Sequence, residues 1–317
     1  MYLITGVAGF IGFHLALRLL KQNKKVVGVD NLNTYYSVKF KEERLKLLKK
    51  NKNFKFLKID LSKKNHLKKL KKYSFKIDKI IHLAGQAGVR YSIKNPTTYI
   101  LNNPYAYLNL LEYFKDSKKL RLILYASSSS VFGDVLDKKN INKPISVYAV
   151  SKLSMEQISY VYSNIYKMKI IGIRFFTVYG SWGRPDMSLY KFTKNIINNR
   201  KIDVFNFGNH LRSFTHINDS VDNLIKLINK FKNYKSSLNR VVSIGNPKTV
   251  KLMKLIQLIE KNVGKKAKKN FLPLQKGDVK ITKANVLKEI KDFNFKFNVE
   301  IEKGVKKFVK WYIDKNY

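Results

Sequence analysis

Tyr2-Leu-Ile-Thr5-Gly6-Val-Ala-Gly9-Phe-Ile-Gly12 opens the chain with a short apolar run, then three glycines three residues apart, then an amphipathic stretch to Leu20. Strand, glycine turn and helix in that order is the setting in which such a pattern becomes a phosphate-binding site. Gly6 would permit the tight turn and Gly9 close backbone approach to a pyrophosphate. Gly12 would allow close packing of helix on strand, with the helix N-terminus facing the anion. The first glycine gap is one residue longer than in the usual dinucleotide fingerprint. Val26-Val-Gly-Val-Asp30 follows as a buried strand ending in an acid, about 20 residues beyond the glycines. An acid at that place suits ribose hydroxyls and disfavours a 2′-phosphate, so NAD is expected in preference to NADP.

The alternation continues. Phe54 to Ile59 runs into Asp60, a Lys-rich helix is expected over Lys63 to Lys72, and Ile77 to Ala84 ends in His82-Leu-Ala-Gly-Gln86. A helical segment around Pro96 to Phe114 precedes Leu120 to Ala126, which runs into Ser127-Ser-Ser-Ser130. Strands alternating with helices argue for an α/β fold, a Rossmann-type doubly wound parallel sheet whose ligands gather at the C-terminal strand ends. Gly6, Asp30, Asp60, Ala84 and Ser127 all fall at such ends.

Composition narrows the class. The chain has 317 residues, a hydrophobic share of 44% and no cysteine, so a disulfide framework and a Cys-ligated metal are excluded and a cytoplasmic home is expected. Met1 to Leu20 carries His14 and Arg18 inside its apolar part and lacks a basic leader, so it reads as part of the fold. No stretch reaches the ~18 to 20 apolar residues of a membrane span. The formal charge of +43 raises nucleic acid as a partner, but only nine of the 64 basic residues are Arg, the side chain suited to bidentate phosphate and base recognition. A basic nucleic-acid-binding protein on a Rossmann fold is the remote alternative, and no dedicated nucleic-acid partner is expected.

Tyr148 and Lys152 lie four apart in Ser146-Val-Tyr-Ala-Val-Ser-Lys152 and share a helix face, so a phenol and an ammonium can address one substrate atom. A cation beside the phenol favours the phenolate and makes it a usable base. Alone, Tyr-x-x-x-Lys is a weak signal in a Lys-rich chain. The serines at the strand end 20 residues earlier strengthen it by placing a hydroxyl beside the phenol. After Ile170 to Arg174 the pattern changes to Phe175-Phe-Thr-Val-Tyr-Gly180-Ser-Trp-Gly-Arg-Pro-Asp-Met187, a loop crossing into a smaller domain. Arg184 and Arg212 are each candidate clamps for a diphosphate or a carboxylate.

Thr5-Gly-Val-Ala-Gly-Phe-Ile-Gly12, Ala126 to Ser130, Tyr148-x-x-x-Lys152 and Arg174-Phe-Phe-Thr-Val-Tyr-Gly180 together resemble the extended short-chain dehydrogenases/reductases. His82 to Ser92, Trp182 to Met187 and Leu272 to Val279 are similar to the nucleotide-sugar epimerases that act on UDP-glucuronate. The resemblance implies tightly held NAD, reversible 4-epimerisation of UDP-glucuronate through a 4-keto sugar, and a homodimer through helices near 97–115 and 146–166. It makes Tyr148 the base, Lys152 its electrostatic partner and Ser128 the hydroxyl, with Ser127 and Ser129 as substitutes. Gly6, Gly9, Phe10, Ile11, Gly12, Asp30, Asn31, Asp60, Leu61, Ala84, Asn103 and Ser127 would line the cofactor, along with Tyr148 and Lys152. Thr177, Arg184, Val204-Phe205-Asn206, Arg212 and Asp278 would meet the nucleotide sugar, with Arg90 and Arg184 as candidates for the uronate carboxylate.

The division expected is a cofactor domain over 1–176 with a return segment near 214–244, and a substrate domain over 177–213 and 245–317. Related dehydratases and decarboxylases carry an acid where this chain has Ser130; elimination needs an acid and base beyond the 4-position pair, so epimerisation fits better. Epimerisation of neutral UDP-hexoses is the alternative. Phe132, Gly85, Pro104, Ser213, His216 and Asn218 depart from the family's usual residues.

Overall fold

A computed structural model describes residues 1–133, 143–231 and 238–315; part of the expected return segment, 232–237, lies outside them. Its centre is a seven-stranded sheet. The spatial order is Leu238–Ile244, Lys169–Phe175, Leu122–Ser128, Lys79–His82, Tyr2–Thr5, Val26–Asp30 and Phe54–Lys58. Every neighbouring pair is parallel. The chain builds outward from Tyr2–Thr5 to one edge, then returns to its other side at Lys79–His82. That reversal opens the crevice in which doubly wound sheets bind ligands. The central strands read as continuous apolar runs because helices cover both faces, and Leu3, Ile4, Ile80, Ile81, Ile123 and Leu124 are each at most 1% exposed.

The glycines behave as steric necessities. Gly6 has φ +68°, and a Cβ there would lie 2.6 Å from the Ala84 nitrogen, so the first strand end and the neighbouring one meet backbone to backbone. A Cβ at Gly12 would strike the Gly6 carbonyl and lie 3.0 Å from the Val7 Cα, so this helical glycine seats the helix Phe10–Lys21 on the turn. Gly9 caps that helix without a side-chain hydrogen bond, which leaves the first-turn N–H groups for a ligand.

Two helical expectations change form. The Lys-rich segment is a 3₁₀ helix over Lys64–Leu70 followed by one α-turn, Lys71–Ser74. At three residues per turn, i and i+3 eclipse, which puts Leu67 and Leu70 together in the core and the lysines in water. The Pro96 to Phe114 helix is interrupted by a π-turn at Leu101–Tyr105, where Pro104 lacks the N–H an unbroken α-helix would use.

Three small sheets stand beside the large one. Thr177–Tyr179 pairs with Phe214–His216, Ile202–Phe205 with Lys269–Leu272, and Leu211–Arg212 with both Val250–Lys251 and Ile281–Thr282. The fully buried Arg44 helps hold the parts together. Its guanidinium donates to the Ala8 carbonyl (2.7 Å), the Tyr36 hydroxyl (2.8 Å) and the Trp182 carbonyl (2.5 Å), tying the glycine turn to the loop that carries Arg184. Among the described residues no helix is long and apolar enough to cross a membrane.

Gly12→Ala is expected to cost about 1–3 kcal/mol by overpacking, read by urea denaturation, because the atoms in the way are backbone. Unchanged stability would mean that the turn is free to shift.

Candidate active site

A cavity of about 410 Å³ runs along the C-terminal strand ends, and the glycine turn, Asp30, Asp60, Ala84, Ser127 to Ser130, Tyr148, Lys152, Thr177 and Arg184 all line it. Phe10, Ile11, Asn31 and Leu61 line it as well. One end is thus made of glycines and a helix N-terminus, the other of hydroxyls, a lysine and an arginine.

At the first end, the Asp30 carboxylate accepts the N–H groups of Ala8 (3.1 Å) and Leu32 (2.9 Å). Burial pushes its carboxyl above the ordinary value, although both N–H groups and the nearby Lys41 and Arg44 work against the shift. The tight backbone turn at Gly6, Gly9 and Gly12, the helix start with no side-chain cap and this acid suit a dinucleotide. Thr5 Oγ1 lies 2.8 Å from His82 Nδ1 and accepts the Ala84 N–H at 3.2 Å, bridging the two strand ends beneath the crevice. Burial, with Lys152 adding to it, pushes the His82 imidazole down to about 3, so His82 is neutral.

At the other end, the helix Val147–Ile165 starts at Ser146, whose hydroxyl accepts the Ala149 N–H at 3.2 Å. Tyr148 and Lys152 project from its first two turns. Burial pushes the Tyr148 phenol up, while the Ser128 hydroxyl and the charge of Arg184 act in the opposite direction. Lys152 is buried and donates to the Ala126 carbonyl at 2.8 Å; burial alone pushes its ammonium down to about 8. Ser128 Oγ also accepts the Ser130 N–H at 3.1 Å, which holds the hydroxyl at the strand end facing the phenol.

Arg184 lies against this group with its Nε and Nη2 paired to Asp186 at 2.9 and 2.8 Å, and Tyr35 donates to the same carboxylate at 3.1 Å. Among the described lining residues the only carboxylates are Asp30 and Asp60. They stand three and four strands from Ser128, roughly 14 Å or more at the usual strand spacing.

Arg212 belongs to a separate cluster. It donates to Asp278 at 3.0 Å and to the carbonyls of Lys280 (2.8 Å) and Val279 (2.6 Å). His210 Nε2 lies 3.6 Å from the same Asp278. Arg90 joins this cluster, 3.7 Å from Asp278 and with its guanidinium carbon 4.6 Å from the centre of the Phe205 ring.

The structure moves some of these residues away from the expected contacts and gives others a fixed partner. Arg90, expected with Arg184 at a carboxylate, sits instead with Phe205 and Arg212. Asn103 is fully buried: its Oδ1 accepts the Gln86 N–H (2.7 Å) and its Nδ2 donates to the Gln86 carbonyl (3.1 Å) and Ser151 Oγ (2.8 Å), so it shapes the Gly85–Gln86 turn from behind. The Ser127 hydroxyl is committed to Glu156 at 2.5 Å, leaving Ser128 as the serine that faces Tyr148. Val204 is core at 0% exposure, while Asn206 donates its amide to the Asn209 carbonyl at 2.6 Å. Sequence reasoning missed Tyr35, Asp186, Glu156 and His210. Asp186 and Glu156 carried a usable signal, acids two residues from Arg184 and one helical turn past Lys152.

The sequence model of the NAD dependent epimerase/dehydratase family matches residues 2–245. The protein CapI of Staphylococcus aureus is 44% identical over 98% of this chain and 98% of its own. A UDP-glucuronate 4-epimerase of Thermodesulfobacterium geofontis is 40% identical over 98% and 95%. Among solved structures, the UDP-glucuronic acid 4-epimerase of Bacillus cereus in complex with UDP-glucuronic acid and NAD superposes with a TM-score of 0.91 at 32% identity, covering 100% of this chain and 99% of that one. A glycine cradle at the sheet's switch point, a Tyr148–Lys152–Ser128 group at its other end and a family match across most of the length lead to one conclusion: this chain belongs to the NAD dependent epimerase/dehydratase family.

Proposed function

We propose that the protein is an NAD-dependent UDP-sugar 4-epimerase that interconverts UDP-glucuronate and UDP-galacturonate. The observation that carries this reading is the single cavity holding the glycine cradle, the Tyr148–Ser128–Lys152 group and Arg184 together. Full-length relatives that bear the UDP-glucuronate 4-epimerase name support it.

When bound, the dinucleotide supplies reversible hydride storage. Tyr148 takes the proton of the sugar 4-hydroxyl as C4 becomes a ketone, with the Ser128 hydroxyl sharing the hydrogen bond to that oxygen. Protonated Lys152, one helical turn away, favours the phenolate form. After the keto sugar turns in the cavity and is reduced on its other face, Tyr148 returns the proton to the alkoxide. Loss of water would need a second acid and base near C4 and C6; the described cavity lining offers serines there and no carboxylate.

In this reading residues 1–176 and 214–244 hold the cofactor, and 177–213 and 245–317 hold the nucleotide. Arg212, Asp278, His210 and the Phe205 ring are suited to the diphosphate and base, and Arg184 to the uronate carboxylate. We place the enzyme in the cytoplasm, in keeping with its cysteine-free sequence. It works as a homodimer, a proposal supported by exposed Leu101 and Tyr105 on one helix and by Val150, Val161 and Ile165 at helical spacing on its neighbour.

Purified protein given UDP-glucuronate without added reductant is expected to form UDP-galacturonate, identified by NMR. Conversion of UDP-glucose in its place would move the substrate to the neutral hexoses. Tyr148→Phe should keep its NAD and lose turnover by at least roughly 100-fold. Arg184→Ala should lower kcat/KM for the uronate at least tenfold more than for a neutral UDP-hexose, in line with loss of a charged hydrogen bond; equal losses would remove its carboxylate role. Sedimentation should give twice the 37.0 kDa chain mass, and Val161→Asp should give monomer.

A further inference from the structure

Glu156 follows Tyr148 and Lys152 at the same four-residue spacing, so phenol, ammonium and carboxylate stand in a row along one face of the helix Val147–Ile165. Two of them are tied to the strand Leu122–Ser128, Lys152 to the Ala126 carbonyl at 2.8 Å and Glu156 to the Ser127 hydroxyl at 2.5 Å, while Tyr148 and Ser128 line the same end of the cavity. Glu156 is 6% exposed and is gripped from the next strand by Arg174, whose Nε and Nη2 donate to its two oxygens at 2.9 and 2.7 Å. The Arg174 guanidinium lies 4.5 Å from the centre of the Phe132 ring, which follows the serine turn.

A buried carboxylate and guanidinium lose hydration that their attraction seldom repays, so stability alone is a weak reason to keep them. Their geometry serves a different end. A forked, bidentate pair fixes distance and angle where apolar packing would tolerate sliding. Because Ser127 and Ser128 are consecutive, committing the Ser127 hydroxyl to the Glu156 side sets the direction in which Ser128 emerges at the strand end.

We propose that Glu156, held by Arg174, is a positioning residue that sets the register of the catalytic helix on this strand through Ser127, and so places the Tyr148 phenol against Ser128. It touches neither sugar nor dinucleotide; it acts through the alignment of the groups that do. The inference rests on the proposed role of Tyr148 as the proton-transfer group.

In Glu156→Gln the amide keeps one hydrogen bond to Ser127 but loses the paired charge. Its kcat for UDP-glucuronate epimerisation is expected to fall about 10- to 100-fold, the scale of a misplacement near 1 Å. KM should stay within about threefold and the NAD released on denaturation should match the wild type, a split that general unfolding would not give. Ser127→Ala leaves the ion pair intact and should lower kcat roughly fivefold, the scale of one hydrogen bond. The double variant should lose less than the product of the two single losses, because the ion pair and the Ser127 hydrogen bond act on the same alignment of helix and strand.

A folded, NAD-loaded Glu156→Gln with kcat within twofold of wild type would overturn the proposal. If that variant does not fold, an unchanged kcat in Ser127→Ala overturns it. Tyr148→Phe turning over at the wild-type rate would instead remove the reading on which the proposal stands, so the two failures are told apart.

Discussion

Lys152 is a buried ammonium that donates to a main-chain carbonyl, Ala126, and draws no pKa support from any carboxylate. Burying a charge in that way is costly, and the cost appears as an ammonium pushed down to about 8. Lys152 follows Tyr148 by one helical turn on the same helix, and both line the cavity. The nearest acid on its own helix face, Glu156, is already engaged by Arg174 and Ser127, so it cannot serve as the counter-ion.

The sheet makes this arrangement possible. A parallel strand ends its hydrogen-bond ladder with main-chain groups still directed along the crevice, and Ala126 and Gly6 both use that geometry. At Gly6 the approach to Ala84 is so close that no side chain fits. At Ala126 the carbonyl receives Lys152. The cavity therefore has one end built from backbone and one built from side chains. The helix packing and the Thr5–His82 bridge keep the two in a fixed relation.

Charge is divided in a parallel way on the substrate side. Arg184 faces Tyr148 and is shared with Asp186, while Arg90 and Arg212 share Asp278. A guanidinium already paired can accept a second anion on its free edge and holds its plane while doing so. Burial would raise the Asp186 carboxyl, but Arg184 and Tyr35 outweigh it and hold it below its ordinary value, so Asp186 remains charged and keeps Arg184 oriented.

The order of apolar runs, the glycine spacing and Asp30 were enough to read a doubly wound sheet with a dinucleotide cradle, because period and backbone sterics are local properties. Tyr148 and Lys152 were legible for the same reason, as neighbours on one helix face. The 3₁₀ form of Lys64–Leu70 and the π-turn at Pro104 were not, since local sequence favoured a helix without selecting its pitch. Four serines in a row look alike locally, and Ser128 was picked out by resemblance alone; the fold adds a physical reason, since Glu156, 29 residues away, takes the Ser127 hydroxyl. Arg90 and Arg184 look alike along the chain, and only the packing of Phe205 and Asp278 beside one, and of Tyr148 beside the other, separates them. Sequence by itself determined which chemistry the strand ends could offer; tertiary structure decided which side chains were free to offer it, because a hydrogen-bond donor or charge engaged by a distant partner is no longer available to a ligand.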